Sequence, residues 1–192
     1  MEFTSFSRTA RFNRKIILTE KIDGTNGQIL VVKKSEVTDG SAPLYENQEL
    51  AIFAGSRNRF ISVEDDNYGF AKWVLQNGEE LLKLGEGRHF GEWWGKGIGR
   101  GYEQTTKKFS LFNVGRWNEQ TKPACCEVVP IICEMDKPCT EQIQLMLGNL
   151  RDLGSLAAPG FMNPEGIIIY HSALNDYFKI TLKGDEHKWQ KS

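Results

Sequence analysis

The 192-residue chain has no apolar run approaching the length of a membrane span, and no charged-then-apolar leader at its N-terminus. Both absences set the expectation of a soluble, cytoplasmic protein with no membrane partner. The chain also lacks charge of one sign: 24 Lys and Arg stand against 25 Asp and Glu, a formal net charge of −1. A global basic field for gripping nucleic acid is therefore excluded, and any polynucleotide contact must come from a local patch. Basic clusters that could supply one are Arg8, Arg11, Arg14 and Lys15; Arg57 and Arg59; Lys96 and Arg100; and Lys107 and Lys108. Solvated surface charge is the competing reading of each. Cysteine is scarce, and Cys125, Cys126, Cys133 and Cys139 lack C-x-x-C spacing. That spacing argues for free thiols in a reducing compartment rather than a zinc site. His89, His171 and His187 show no metal-ligand spacing either. Repeats, low-complexity stretches and a Pro/Gly/Ser linker are missing, so the chain reads as one domain, 1–192. A Walker A loop is missing too. Gly95-Lys96 is the only Gly-Lys pair, Phe90 sits where the upstream glycine belongs, and Gly97 follows the lysine. The glycines between Gly95 and Gly101 do not spell G-x-G-x-x-G and read as a flexible turn.

What is present is enough apolar sequence for a core, 40% with 11% aromatic residues. Short runs rich in branched residues predict strands over Lys15–Thr19, Gln28–Lys33, Leu50–Ala54, Arg88–Trp93, Lys108–Val114, Cys126–Cys133, Gly166–His171 and Tyr177–Leu182. Lys21–Gly27 and Asp39–Pro43 read as loops. Phe70, Trp73 and Val74 share a helix face that runs to a stop at Asn77-Gly78, with a further turn or two over Glu79–Leu84. Ile143, Met146, Leu147 and Leu150 mark a second helix, with Thr140 as its N-cap. Many strands with few, irregularly placed helices predict an α+β fold with antiparallel sheets.

Against that background Lys21 stands out. It ends a strand, precedes a glycine-containing turn and has an acid two residues on, in the segment Thr19-Glu20-Lys21-Ile22-Asp23-Gly24-Thr25-Asn26. A lysine amine is nucleophilic only without its proton, which a free lysine keeps until about pH 10. Burial or neighbouring cations ease its release. K-x-D-G alone is a weak signal, and a surface turn explains it equally well.

Further segments follow in order. They are Gly55-Ser56-Arg57-Asn58-Arg59, then Phe90-Gly91-Glu92-Trp93-Trp94-Gly95 with its continuation to Tyr102, then Leu111-Phe112-Asn113-Val114. Pro164-Glu165-Gly166-Ile167-Ile168-Ile169 and Phe178-Lys179-Ile180-Thr181 complete the series. With Glu20–Asn26 these resemble motifs I, Ia, III, IIIa, IV and V of the ATP-dependent RNA ligases, specifically the phage RNA ligase 2-like group of the covalent nucleotidyltransferases. The resemblance runs from Leu18 to about Lys183.

The resemblance implies an ATP-grasp-like adenylyltransferase domain of two antiparallel β-sheets with flanking helices around a nucleotide cleft. It implies ATP and Mg²⁺ (or Mn²⁺) as cofactors, RNA as partner, and the cytoplasm of a bacterial or phage-infected cell. Lys21 would form lysyl-AMP, pass AMP to a 5′-phosphate, and a 3′-hydroxyl would then displace AMP and seal the strand. Asp23 would act near the metal or leaving group, although some relatives carry histidine there. Lys179 would contact the α-phosphate and help Lys21 shed its proton. Glu20, through its carbonyl, and Asn26 would edge the nucleotide pocket. Arg57 would fork onto phosphate, Glu92 would accept from the ribose, and Phe112 would stack on adenine. Glu165 would hold the metal. The family often has a second lysine two residues after Lys179. Thr181 stands there instead, leaving Lys183 as the substitute on the same strand face.

Only Gly184–Ser192 follow the last motif, where many relatives carry an OB-fold or helical domain. No such domain is therefore expected, and an accessory protein or partner domain would assist substrate binding. Nicked duplex, DNA or hybrid are alternative substrates. A minimal DNA ligase or capping-type guanylyltransferase shares K-x-D-G, but Thr25-Asn26 and Gly91–Tyr102 favour RNA ligase. The alternative of another class is a nucleotide-binding module that does no chemistry, against which the intact lysine and acids argue.

Overall fold

The computed structural model describes residues 2–6, 9–38 and 40–183. Their elements are β1 (Ile16–Lys21), β2 (Thr25–Lys33), β3 (Tyr45–Glu46), β4 (Leu50–Gly55), β5 (Phe60–Ile61), α1 (Phe70–Gln76) and α2 (Gly78–Leu81). There follow β6 (Gly87–Gly95), β7 (Lys107–Leu111), β8 (Glu127–Val128), β9 (Ile131–Met135), α3 (Thr140–Leu153), β10 (Gly166–His171) and β11 (Asp176–Thr181). The expected α+β class holds. No helix among the described residues is long and apolar enough to cross a membrane. Arg8, Asp39 and His187 lie outside the described residues.

The chain divides into two compact units, one formed by 1–21 with 130–192 and the other by 22–129. In the first unit four antiparallel strands run in the order β11-β10-β1-β9. Alternation along β1 and β10 puts Ile16, Leu18, Ile167 and Ile169 on one face, where they are buried. The stripe Ile143, Met146, Leu147 and Leu150 of α3 packs against that face. Thr140 is already the first helical residue. The cap position belongs to Cys139, whose extended backbone carries no side-chain cap bond because its thiol turns to Glu141.

In the second unit the sheet order is β3-β4-β2-β6-β7-β8, with β5 added to β4. All pairs are antiparallel except β7 with β8, which is parallel and departs from the all-antiparallel expectation. Ile29, Val31, Ile52, Ala54, Trp93, Phe109 and Leu111 face α1 and α2 in the core. Phe70, Trp73, Trp93 and Phe109 interlock there at centroid distances of 5.0–5.9 Å. Trp94, on the other face, is also buried and donates to Ser110 Oγ at 2.8 Å.

Three boundaries differ from the sequence reading for physical reasons. The predicted strand Cys126–Cys133 breaks at Pro130, which has no N–H for a ladder, and its halves β8 and β9 belong to different sheets. Asn77 ends α1 and further turns follow to Leu84, both as expected, but Gly78 opens α2 instead of belonging to the stop. A Cβ there would lie 2.0 Å from the Tyr45 ring, so this glycine serves packing rather than termination. The Lys21–Gly27 loop is shorter than expected, because β1 runs through Lys21 and β2 starts at Thr25.

Candidate active site

In the first unit, β1 delivers Lys21 at its last position, opposite Gly166, the first residue of β10. Glu165 therefore sits directly beside the lysine, although 144 residues separate the two in sequence. Lys21 Nζ donates to Glu165 Oε2 at 2.5 Å, with the side chains only 22% and 18% exposed. At that shielding an ammonium–carboxylate pair is held more firmly than a surface pair. Leu182 N–H donates to the Glu165 carbonyl at 2.9 Å and fixes the β10–β11 side of this corner.

Lys179 lies on β11 opposite Ile168, which in turn opposes Thr19. It shares the Lys21 face but sits one row back, roughly 10 Å away across two strand spacings. Thr181 occupies the row of Lys21 itself. Lys183 is exposed and lies beyond the strand end at Thr181, so the shared strand face expected for it does not extend that far.

Glu20 is 1% exposed, and its carboxylate is fully engaged. Oε1 accepts from Ser155 Oγ at 2.6 Å, and Oε2 accepts from the N–H groups of Leu156 and Ala157, each at 2.8 Å. The side chain thus pins the loop after α3 beneath the strand end that carries Lys21. Burial pushes its pKa up, against the opposing pull of the three donors. Glu20→Ala leaves two backbone N–H groups without an acceptor and is expected to cost about 2–4 kcal/mol of stability, read by denaturant unfolding.

The raised pKa also has a definite sign. The folded chain binds this proton more tightly than the unfolded chain does. The stabilisation is therefore complete below the ordinary glutamate value and declines as pH climbs through the raised one. The stability advantage of the parent over Glu20→Gln should shrink as pH rises from the ordinary glutamate range through the raised value. An advantage that grows over that range would contradict the assignment.

In the second unit, the motif I turn is held by β6. Glu92 Oε1 accepts from Gly24 N–H at 3.0 Å, and Oε2 accepts from Asn26 Nδ2 at 3.2 Å. Asn26 Oδ1 in turn accepts from Arg57 Nε at 2.8 Å. Arg57, Asn26 and Glu92, picked from three separate segments, are thereby joined in one polar row. A Cβ on Gly24 would meet the Trp93 carbonyl at 2.5 Å, so only glycine lets the turn close onto β6. Phe112 is half-buried just past β7, its N–H donating to the Phe90 carbonyl at 3.0 Å.

Asp23 is more constrained than the sequence suggested. Its Oδ2 accepts from Arg100 Nε at 3.1 Å, and its N–H donates to the hydroxyl of buried Tyr102 at 2.9 Å. Arg100 enters the sequence analysis only in a basic cluster and Tyr102 only as the end of a motif segment, and neither they nor Ser155 carry a site role there. The first two lie on the glycine-rich stretch after β6, whose unusual glycine density was the available signal. Ser155 carries no such mark. His89 and His171 are buried and bond the carbonyls of Gly85 and Phe12, at 2.9 and 2.7 Å. Among the described residues no group of three or more His, Cys, Asp or Glu could hold a metal by itself.

Residues 14–181 match the family model for RNA ligase, and the chain belongs to that family. Solved structures of RNA ligase from Naegleria gruberi share the fold. Two lysine-to-alanine variants with ATP and Mn each superimpose with a TM-score of 0.59 at 18% identity. A glutamate-to-alanine variant with AMP and Mn gives 0.59 at 19%. Each covers 88% of this chain, which spans about half of theirs, 49–50%. No curated protein matches the chain.

Proposed function

We propose that this chain is an ATP-dependent RNA ligase working through a lysyl-AMP intermediate. The observation that carries the reading is the shielded pair of Lys21 with Glu165 at the first row of the β1–β10 ladder. The Lys21 nitrogen attacks the α-phosphorus of ATP. As the nitrogen gives up protons to water a P–N bond forms, the bond to the bridging oxygen breaks, and pyrophosphate leaves. An oxygen of an RNA 5′-phosphate then displaces the lysine, which regains its protons. Finally a 3′-hydroxyl attacks that phosphate, losing its proton as AMP departs.

Glu165 would hold the divalent ion. Mg²⁺ and Mn²⁺ suit oxygen ligands, and a site of one carboxylate plus substrate phosphates and water is ordinary for Mg²⁺. The ion, when bound, supplies charge neutralisation on the phosphates. Its positive charge would also compete with the Lys21 ammonium for Glu165. The Naegleria gruberi enzyme, solved with ATP or AMP and Mn, supports the cofactor choice.

Asn26 and Glu92 offer acceptor oxygens for ribose hydroxyls, Arg57 a guanidinium for phosphate, and Phe112 a ring for adenine. Lys179, on the Lys21 face, supplies positive charge to the phosphates, with Lys183 as an auxiliary. Asp23 is a positioning residue, keeping the motif I turn in place through Arg100. The Glu20 carbonyl would meet adenine, while its carboxylate serves the fold. A reducing cytoplasm, bacterial or phage-infected, fits the four free thiols. DNA, hybrid duplexes and an accessory protein remain part of the same proposal.

A panel of RNA nicks tests it. A nick with a 5′-phosphate should be sealed with ATP, and a pre-adenylylated nick without it. Failure to join either strand would contradict ligation, and joining with GTP alone would point to guanylyl transfer.

A further inference from the structure

The face of the second unit's sheet that carries Asn26 and Glu92 continues beyond them. Register puts Gln28 beside Phe90 in the next row, and Leu30 beside Arg88 and Phe53 in the one after. Rows on one face are roughly 7 Å apart. The opposite face is the one packed on α1 and α2. Here instead Phe90 is 52% exposed and Phe60, on β5, 53%. The Arg88 guanidinium lies 5.9 Å from the Phe60 ring centroid.

A cavity of about 250 Å³ is lined by Gln28, Arg57, Arg59, Phe60 and Arg88. Phe60 is also a wall of an adjoining cavity of about 560 Å³, whose other walls include Leu30, Val32, Phe53 and Ile61. Among the described residues Arg57 and Arg88 have no ion-pair partner, whereas Arg59 is clamped by Asp65. Glu36 and Asp65 are the acids at the larger cavity.

We propose that this strip is the track for a single RNA strand, running from Arg57 past Phe90 to Arg88 and Phe60. Guanidiniums without an ion-pair partner, alternating with half-exposed rings, match phosphates alternating with bases. Stacking on such rings tolerates any sequence, and arginine adds charge and cation–π contact. The strip is continuous with the Arg57–Asn26–Glu92 row, which makes the RNA strand the natural occupant. The inference rests on the ligase reading, extends the role of Arg57, gives the Phe90 side chain a role, and adds Phe60 and Arg88 from outside the motifs. It also explains how a chain of net charge −1 holds RNA, through a local patch rather than a global field.

Titration of a fluorescent oligoribonucleotide, followed by anisotropy, tests the track. Arg88→Ala should weaken binding at low salt at least about fivefold and flatten the log–log salt slope by about 0.7, one phosphate contact. Phe60→Ala with Phe90→Ala should weaken binding about tenfold with the salt slope unchanged, since stacking is not ionic. All three side chains are exposed, so melting midpoints and lysyl-AMP formation from ATP alone should match the parent. Unchanged RNA affinity and slope in both variants would overturn the track. A chain that takes no AMP yet binds RNA through these residues would uphold the track and sink the ligase reading.

Discussion

Lys21→Ala is expected to abolish transfer of label from α-labelled ATP to protein, a loss of at least about a thousandfold, because no other group replaces the attacking amine. The fold should survive. The substitution breaks one ion pair at a partly exposed strand end and leaves Glu165 with access to water, a cost of about 1–2 kcal/mol. Lys21→Arg sharpens the test. Arginine keeps a cation for Glu165 but offers no nucleophile at neutral pH. If Lys21 served only as a structural partner of Glu165, Lys21→Arg would keep its label. On the proposed chemistry it is as dead as Lys21→Ala.

The second large effect belongs to Glu165. Glu165→Gln preserves size and removes one negative charge that faces the lysine at 2.5 Å. On the proposed reading two functions go with it: holding the Lys21 amine in place and offering a hard oxygen to a divalent ion. Adenylylation at saturating ATP should fall about a hundredfold, equivalent to a few kcal/mol of charge stabilisation. The half-saturating Mg²⁺ concentration should rise with it. A slower reaction with an unchanged Mg²⁺ titration would assign Glu165 to positioning Lys21 and remove it from the metal. Unchanged rate and unchanged titration would remove it from the site.

Much of this arrangement was legible before the structure. Strands β1, β2, β4, β6, β10 and β11 announce themselves because branched and aromatic residues cluster in short runs, and α3 does so through its i, i+3, i+4 stripe. The ordered motif segments pointed to Lys21, Arg57, Glu92 and Glu165, and the ladders bring Lys21 to Glu165 and Asn26 to Glu92.

What the chain did not disclose is contact at long range. Nothing local in Ser155 says that it bonds a glutamate near the opposite end of the sequence. For Glu20 the motif implies a role for the carbonyl and is silent on the side chain, which alternation along β1 turns into the Ile16–Leu18 face. Register also decides Lys179 and Lys183. Sequence spacing put both on one strand, whereas the strand stops at Thr181 and only Lys179 stays on the Lys21 face. For Asp23 the motif implies a place near the metal or leaving group but not its partners, Arg100 on the carboxylate and Tyr102 on the backbone N–H.

The most direct measurement is the intact mass of the protein after incubation with ATP and a divalent ion, followed by peptide mapping. The expected result is one added adenylyl group on Lys21, lost in acid as a phosphoramidate is and absent without the divalent ion. An unchanged mass under conditions where ATP binds, or an adenylyl group mapped to a different residue, would contradict the proposed chemistry.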